Sequence, residues 1–156
     1  LSRKTIGIIG FGSIGSAVSG KFEALGCNVA HHDPNSGESI DMGELLRQSQ
    51  IVVLCANLTS KTKHLLNSEE FSNMRPESIV INVARGELIN EEPLISALEQ
   101  GIIAGAALDV FELEPLDASS RLLSFDNVLL SPHNASNTLE ARRRANSKVL
   151  EILRTL

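Results

Sequence analysis

Three short segments in the second half of this chain carry side chains able to do joint proton and charge chemistry. Arg85 stands in Val83-Ala84-Arg85-Gly86, acids crowd Asp109-Val110-Phe111-Glu112-Leu113-Glu114-Pro115, and His133 lies in Ser131-Pro132-His133-Asn134-Ala135-Ser136. A guanidinium holds a carboxylate by two parallel hydrogen bonds, and an imidazole gives and takes a proton near neutral pH. A carboxylate beside that imidazole favours its charged form. Singly, each segment has a bland reading: an exposed Arg, an acidic loop, a His after Pro at a turn. The first half offers a different chemistry in Gly10-Phe11-Gly12-Ser13-Ile14-Gly15. Gly10 permits a tight turn, Gly12 lets backbone approach a pyrophosphate, and Gly15 lets a helix pack close to a strand, its first N–H groups facing the phosphates. Ser13 and Ile14 open that helix. Seventeen residues separate Gly15 from Asp33, whose carboxylate can accept from ribose hydroxyls and repel a 2′-phosphate. That combination favours NAD(H) over NADP(H). Asp33 could merely start a turn before Pro34, but the order strand, loop, helix, strand, acid favours binding. His31 and His32 have no further ligands at metal spacing, so no metal site is expected.

The elements that must position these groups follow from apolar periodicity. Strand-length runs occur at Thr5–Ile9, Asn28–His32, Ile51–Cys55, Ser78–Val83, Ala104–Leu108 and Val128–Leu130, most without polar alternation, as in parallel strands covered on both faces. Ile14, Ala17, Val18, Phe22 and Leu25 follow helical spacing up to a stop at Gly26. Leu94, Ala97 and Leu98 do the same between an Asn90 cap and Gly101, and a last helix is expected over Thr138 to Leu153. Alternating strands and helices predict an α/β fold, a Rossmann-type doubly wound parallel sheet in three α/β/α layers. The stretch from Asp33 to Leu45 is short, so a loop with a stub near Ile40 is expected where a second helix and a further strand often lie. In such a sheet ligands bind beyond the carboxyl ends of the strands, and Arg85, Asp109, Glu114 and His133 all follow strand ends.

The chain's 156 residues suit one domain, with 42% hydrophobic residues and no Trp or Tyr, so aliphatic side chains build the core. A net charge of −5 argues against a nucleic-acid surface. The basic run Arg142-Arg143-Arg144 reads as a solvated helix face. No apolar run approaches the ~20 residues of a membrane span, and no secretory leader is evident. Cys27 and Cys55 form no C-x-x-C pair and read as reduced thiols, consistent with a cytoplasmic protein.

Four of these segments, in order, resemble the D-isomer-specific 2-hydroxyacid dehydrogenases. They are Ile6-Gly7-Ile8-Ile9-Gly10-Phe11-Gly12-Ser13-Ile14-Gly15, Asn82-Val83-Ala84-Arg85-Gly86, Leu108-Asp109-Val110-Phe111-Glu112-x-Glu114-Pro115 and Ser131-Pro132-His133. The resemblance implies a catalytic set in which Arg85 holds the substrate carboxylate, His133 donates and accepts the proton, and Glu114 orients and charges His133. It implies NAD as cofactor, held by Gly10, Gly12, Ser13, Ile14, Gly15, Asp33, Ala56, Asn57, Val83, Ala84, Asp109 and Ala135, with Asp109 on the nicotinamide carboxamide or ring edge. The substrate implied is a small 2-hydroxy or 2-keto acid. Ser13 stands where many members have a basic residue, Cys55-Ala56-Asn57-Leu58-Thr59 replaces a common His-x-Pro-Leu-Thr loop, and Asn134 stands where an aliphatic residue is frequent. Residues 131–138 resemble some phosphoglycerate-dehydrogenase-like members. Residues 1–156 are expected to form the NAD-binding domain alone, with the family's substrate-binding domain absent, so the isolated chain should bind cofactor with little turnover. A homodimer is expected from family habit, and apolar positions around Leu150 and Leu153 suit either that or packing on the sheet. Two other classes of protein carry a similar glycine loop or fold. An NAD-sensing corepressor-like interaction protein shares the fold, whereas a methyltransferase leaves Arg85, Asp109, Glu114 and His133 unexplained.

Overall fold

A computed structural model describes residues 1–155. Among them the strands β1 (Thr5–Ile9), β2 (Asn28–His32), β3 (Ile51–Leu54), β4 (Ile79–Asn82), β5 (Gly105–Leu108) and β6 (Val128–Leu130) form one sheet. Its order is β2-β1-β3-β4-β5-β6 and every pairing is parallel. Helices α1 (Ser13–Ala24), α2 (Met42–Gln48), α3 (Ser68–Ser72), α4 (Glu91–Glu99) and α5 (Leu139–Leu153) connect or follow the strands. The change of direction between β2 and β3, on either side of β1, opens a crevice at the carboxyl edge.

The strands are continuous aliphatic runs because both faces are covered. Ile6 and Ile8 point to one side, where Cys27, Val53 and the α1 residues Val18 and Phe22 join them. Ile9, Val52, Leu54, Val80 and Leu108 face the other, against Leu45 and Leu46 of α2, Phe71 of α3 and Leu94, Ile95 and Leu98 of α4. Gly7 makes this second contact close, since a side chain there would run into Ser49 and Leu45. Phe71, 1% exposed, anchors the single turn and a half of α3, a burial contributing roughly 2–3 kcal/mol. On the α1 side the cover thins toward the far edge, where Ile79 is 39% and Leu129 71% exposed.

Two expectations about the elements need correction, one in the stretch after Asp33 and one in strand length. The stretch after Asp33 is not reduced to a loop: it contains α2, whose N-terminus Asp41 caps by accepting from Glu44 N–H at 3.1 Å. What is trimmed is the strand, leaving a single backbone bond from Ile40 N–H to His31 C=O at 3.0 Å. Leu150 and Leu153 do not pack on the sheet. They are 54% and 60% exposed, and α5 buries no residue against the rest of the domain. Arg142, Arg143 and Arg144 are exposed on it as read from the sequence. Strands three, four and five are each shorter than predicted, with Cys55, Ser78, Val83 and Ala104 just outside them.

Candidate active site

The turn after β1 is shaped by its glycines. Gly10 has φ +91°, and a side chain there would strike the backbone of Ala56 in the loop after β3. Gly15 is buried against the Gly10 carbonyl, so α1 approaches β1 as closely as backbone permits. Gly12 faces open space, and α1 begins with no side-chain cap. Its first N–H groups are thus left to a ligand, and the cradle fits a pyrophosphate on the chemistry of its donors. Ser13 and Ile14 are exposed at its mouth.

Asp33 Oδ2 accepts from the Phe11 N–H at 2.8 Å, while Oδ1 accepts from Asn35 N–H at 2.9 Å. The Phe11 bond, then that of Asn35, holds this carboxyl below the ordinary aspartate range. The Phe11 ring stacks on His31 with centroids 3.6 Å apart, and His31 Nε2 lies 2.9 Å from Ser36 Oγ. His31, given no role by the sequence reading, therefore joins the glycine loop to the Asp33 turn. Residues 33–41 carry Asp33, Glu38 and Asp41 and no cation, an unfavourable setting for a 2′-phosphate. Ala56 is half-buried beside Gly10, and exposed Asn57 offers its carbonyl to Thr62 Oγ1 at 2.7 Å. Burial pushes the neighbouring Cys55 thiol up to about 11, which keeps it protonated.

The other half of the edge holds the predicted catalytic set. Asn82, 1% exposed, donates from Nδ2 to Arg85 C=O at 2.9 Å and accepts from Ala84 N–H at 3.1 Å. Its side chain thereby fixes the turn that projects Arg85 into solvent. Gly86 is buried against the backbone of Phe111 and Glu112, where no Cβ fits, so the Arg85 turn seats directly on the loop after β5. Arg85 Nη1 donates to Ala84 C=O at 2.6 Å, leaving most of the guanidinium fork free.

Asp109, 7% exposed, accepts from Asn134 N–H at 3.0 Å and Ala135 N–H at 2.9 Å. Burial pushes its carboxyl up, but the Ser131 hydroxyl and these two N–H groups outweigh that and hold it below the ordinary range. Glu114 Oε2 lies 2.8 Å from His133 Nδ1, and its Oε1 accepts from Phe111 N–H at 3.1 Å. The His133 bond is the main cause of a lowered Glu114 carboxyl pKa, with the Phe111 bond adding to it. Because Nδ1 faces Glu114, Nε2 is the ring nitrogen left for a ligand. An open cavity of about 600 Å³, walled by Phe111, Leu116, Leu123 and Leu130, adjoins both residues.

The structure thus brings every sequence-predicted site residue to one edge, joins Glu114 to His133, and seats the Arg85 turn on the loop that carries Glu114. It also adds positioning groups the sequence reading passed over: Asn82, Gly86 and His31. Asn82 and Gly86 lie inside a motif already quoted, and an Asn ending an aliphatic strand was the available signal.

A parallel sheet with a glycine cradle at its crevice defines a dinucleotide-binding domain of the Rossmann type, and an Arg, a Glu and a His stand beside that cradle. Residues 1–135 match the family model described as "D-isomer specific 2-hydroxyacid dehydrogenase, NAD binding domain", and the chain belongs to that family. It is 43% identical over 155 residues to a glyoxylate reductase of Thermofilum pendens, covering 92% of this chain and 45% of the relative. A hydroxypyruvate reductase of Thermotoga maritima is 37% identical over 159 residues, covering 97% and 52%. The crystal structure of a glyoxylate reductase from Paecilomyes thermophila superposes with a TM-score of 0.91 at 34% identity, over 99% of this chain and 49% of that one. An NAD-complexed D-isomer specific 2-hydroxyacid dehydrogenase of Lactobacillus delbrueckii ssp. bulgaricus gives 0.81 at 32%, over 88% and 48%. The chain spans about half the length of the curated relatives it matches. It is an NAD-binding domain of the Rossmann type, and among the described residues no helix is long and apolar enough to cross a membrane.

Proposed function

We propose that this domain serves an oxidoreductase that exchanges hydride between NAD(H) and a small 2-hydroxy acid/2-keto acid pair. The observation that carries the reading is the Glu114–His133 contact of 2.8 Å on the same sheet edge as the glycine cradle. Bound NAD(H) supplies or takes the hydride at the substrate C2. His133 Nε2 gives a proton to the carbonyl oxygen in reduction and takes the hydroxyl proton in oxidation. Glu114 fixes the ring's orientation and balances its charge. Arg85 holds the substrate carboxylate by its planar fork and so aims C2. Asp33 receives the adenosine ribose, Gly10, Gly12, Ser13, Ile14 and Gly15 take the pyrophosphate, and Ala56, Asn57, Val83, Ala84, Asp109 and Ala135 line the path to the nicotinamide.

Relatives named glyoxylate and hydroxypyruvate reductases make 2-keto acids of that size the first substrates to try. One wall of a cleft does not exclude water, so this domain by itself binds NAD(H) and turns over little, with the substrate-binding domain supplying the second wall. The free thiols Cys27 and Cys55 support a cytoplasmic setting, and the exposed apolar residues of α5 and β6 support pairing with a second copy. Calorimetric titration with NADH and NADPH tests the cofactor reading. NADH should bind more tightly, with the preference lost in Asp33→Ala; no binding of either cofactor, or equal binding in the unaltered protein, would sink it.

A further inference from the structure

The Glu112 side chain makes two contacts that leave its own loop. Its Oε1 lies 2.5 Å from His64 Nε2, 48 residues away along the chain, and its Oε2 accepts from Glu91 N–H at 3.0 Å. That N–H is the first of α4, a helix whose N-cap residue Asn90 makes no side-chain cap bond, its amide donating instead to Asn67 Oδ1 at 3.3 Å. Glu112 thus satisfies, from the loop that carries Asp109 and Glu114, one of the first N–H groups of α4, which have no partner within the helix. His64, at φ +53°, donates its own N–H to Glu87 C=O at 2.7 Å, and Leu66 N–H donates to Leu88 C=O at 3.0 Å. One carboxylate therefore joins the loop after β3, the Arg85–Leu88 turn with α4 behind it, and the loop after β5.

The arrangement has an electrostatic cost. Glu91 is pushed above the ordinary glutamate range, by burial first and then by the charge of Glu112. A neutral acceptor at position 112, such as glutamine, could take the Glu91 N–H without setting two carboxylates together, so satisfying that N–H does not by itself account for the charge of Glu112. Contacts that cost stability and persist are characteristic of residues holding a functional geometry. The line from Glu112 to the acid–base pair is short. Gly86, next to Arg85, rests on the backbone of Phe111 and Glu112, and Phe111 N–H binds the Glu114 carboxylate that holds His133.

We propose that Glu112 is a positioning residue: by tying His64 and the start of α4 to the loop after β5, it sets where Glu114 meets His133 relative to Arg85. Its bearing on catalysis rests on the function proposed above, in which Glu114 and His133 act as the proton-handling pair.

The test is a ¹³C NMR titration of the Glu114 carboxyl in this chain, its signal identified with Glu114→Gln. In Glu112→Ala the titration midpoint should rise by about one pH unit as the bonds from His133 and Phe111 loosen. Glu112→Gln should restore most of the wild-type value, because its carboxamide can still accept from Glu91 N–H and meet His64. Loss of a nearby negative charge alone moves Glu114 down, so a rise reports geometry. If Glu112→Ala only lowers the melting temperature while Glu114 titrates as before or lower, the positioning role is overturned. Should that variant not fold, Glu91→Pro removes the N–H that Oε2 accepts at a helix position that suits proline, and the same two outcomes decide. The readout needs no cofactor or substrate. Failure of the NAD-dependent reading, seen as absent NADH binding by wild-type protein, is therefore a separate result.

Discussion

His133 and Glu114 stand beyond the ends of two neighbouring parallel strands, β6 and β5, and their side chains close the gap at 2.8 Å. The histidine reaches this position with φ +50°, a left-handed conformation that costs a non-glycine residue on the order of 1 kcal/mol. The two N–H groups that follow it, on Asn134 and Ala135, both donate to buried Asp109. Charge-assisted bonds of this kind offset the strain and fix the ring before any substrate arrives.

His133→Asn should therefore abolish proton handling without touching the glycine cradle. On the function proposed above, 2-keto acid reduction should fall by on the order of 10²–10⁴-fold while NADH affinity stays within about twofold. Steady-state kinetics paired with NADH titration checks both halves.

Arg85→Lys keeps the charge and loses the fork. The turn is held by Asn82 and Gly86 rather than by the guanidinium, so the fold should persist unchanged. KM for the keto acid should rise by roughly 10-fold or more, with kcat also reduced because C2 is no longer aimed. A Michaelis curve like that of wild type would contradict the assigned role.

Gly86→Ala sets a methyl group where the Phe111 backbone already lies. Displacing the Arg85 turn from the loop after β5 should cost about 1–3 kcal/mol by overpacking, read as a lower melting temperature. Gly12→Ala, with open space around its Cβ, should melt near wild type yet bind NADH more weakly, because the methyl occupies the phosphate side of the cradle.

Asp33, Asp109 and Glu114 all have carboxyl pKa values below their ordinary range in the folded chain. A depressed folded value means the unfolded chain binds protons more readily. The stability these groups contribute is therefore complete above the ordinary carboxylate range and is lost as pH falls through the depressed values. Melting temperature should hold from pH 7 to about 5 and then drop. In Asp109→Asn the protein should melt lower at pH 7, one backbone N–H having lost its acceptor, and the acid-side drop should be shallower.

The strands, α1 and α5 were legible because a continuous aliphatic run or an i, i+4 pattern is a local property of the residues involved. The site was legible for a related reason: in a parallel sheet, residues placed just past strand ends converge without help from distant pairing. Thr138, expected as the first residue of α5, stands just before it as the cap, its Oγ1 accepting from Ala141 N–H at 3.1 Å. What escaped depended on partners far along the chain. The α2 helix is only seven residues long, and two buried leucines, Leu45 and Leu46, hold it against β1. The cap of α4 comes from Glu112, 21 residues downstream, which no window around Asn90 reveals. The stacking of Phe11 on His31 joins two strand ends, each of which alone looks unremarkable in sequence.

On the function proposed above Asp33 does two jobs with one carboxylate: it receives the ribose, and its Oδ2 pins the Phe11 N–H of the glycine loop. Redirecting this domain toward a phosphorylated dinucleotide is consequently a coupled design problem. Replacing the aspartate to admit a 2′-phosphate also unties Gly10-Phe11-Gly12, so a successful swap has to introduce a new acceptor for that N–H along with the new cation. Single substitutions at this position are expected to lose the old ligand more readily than they gain the new one.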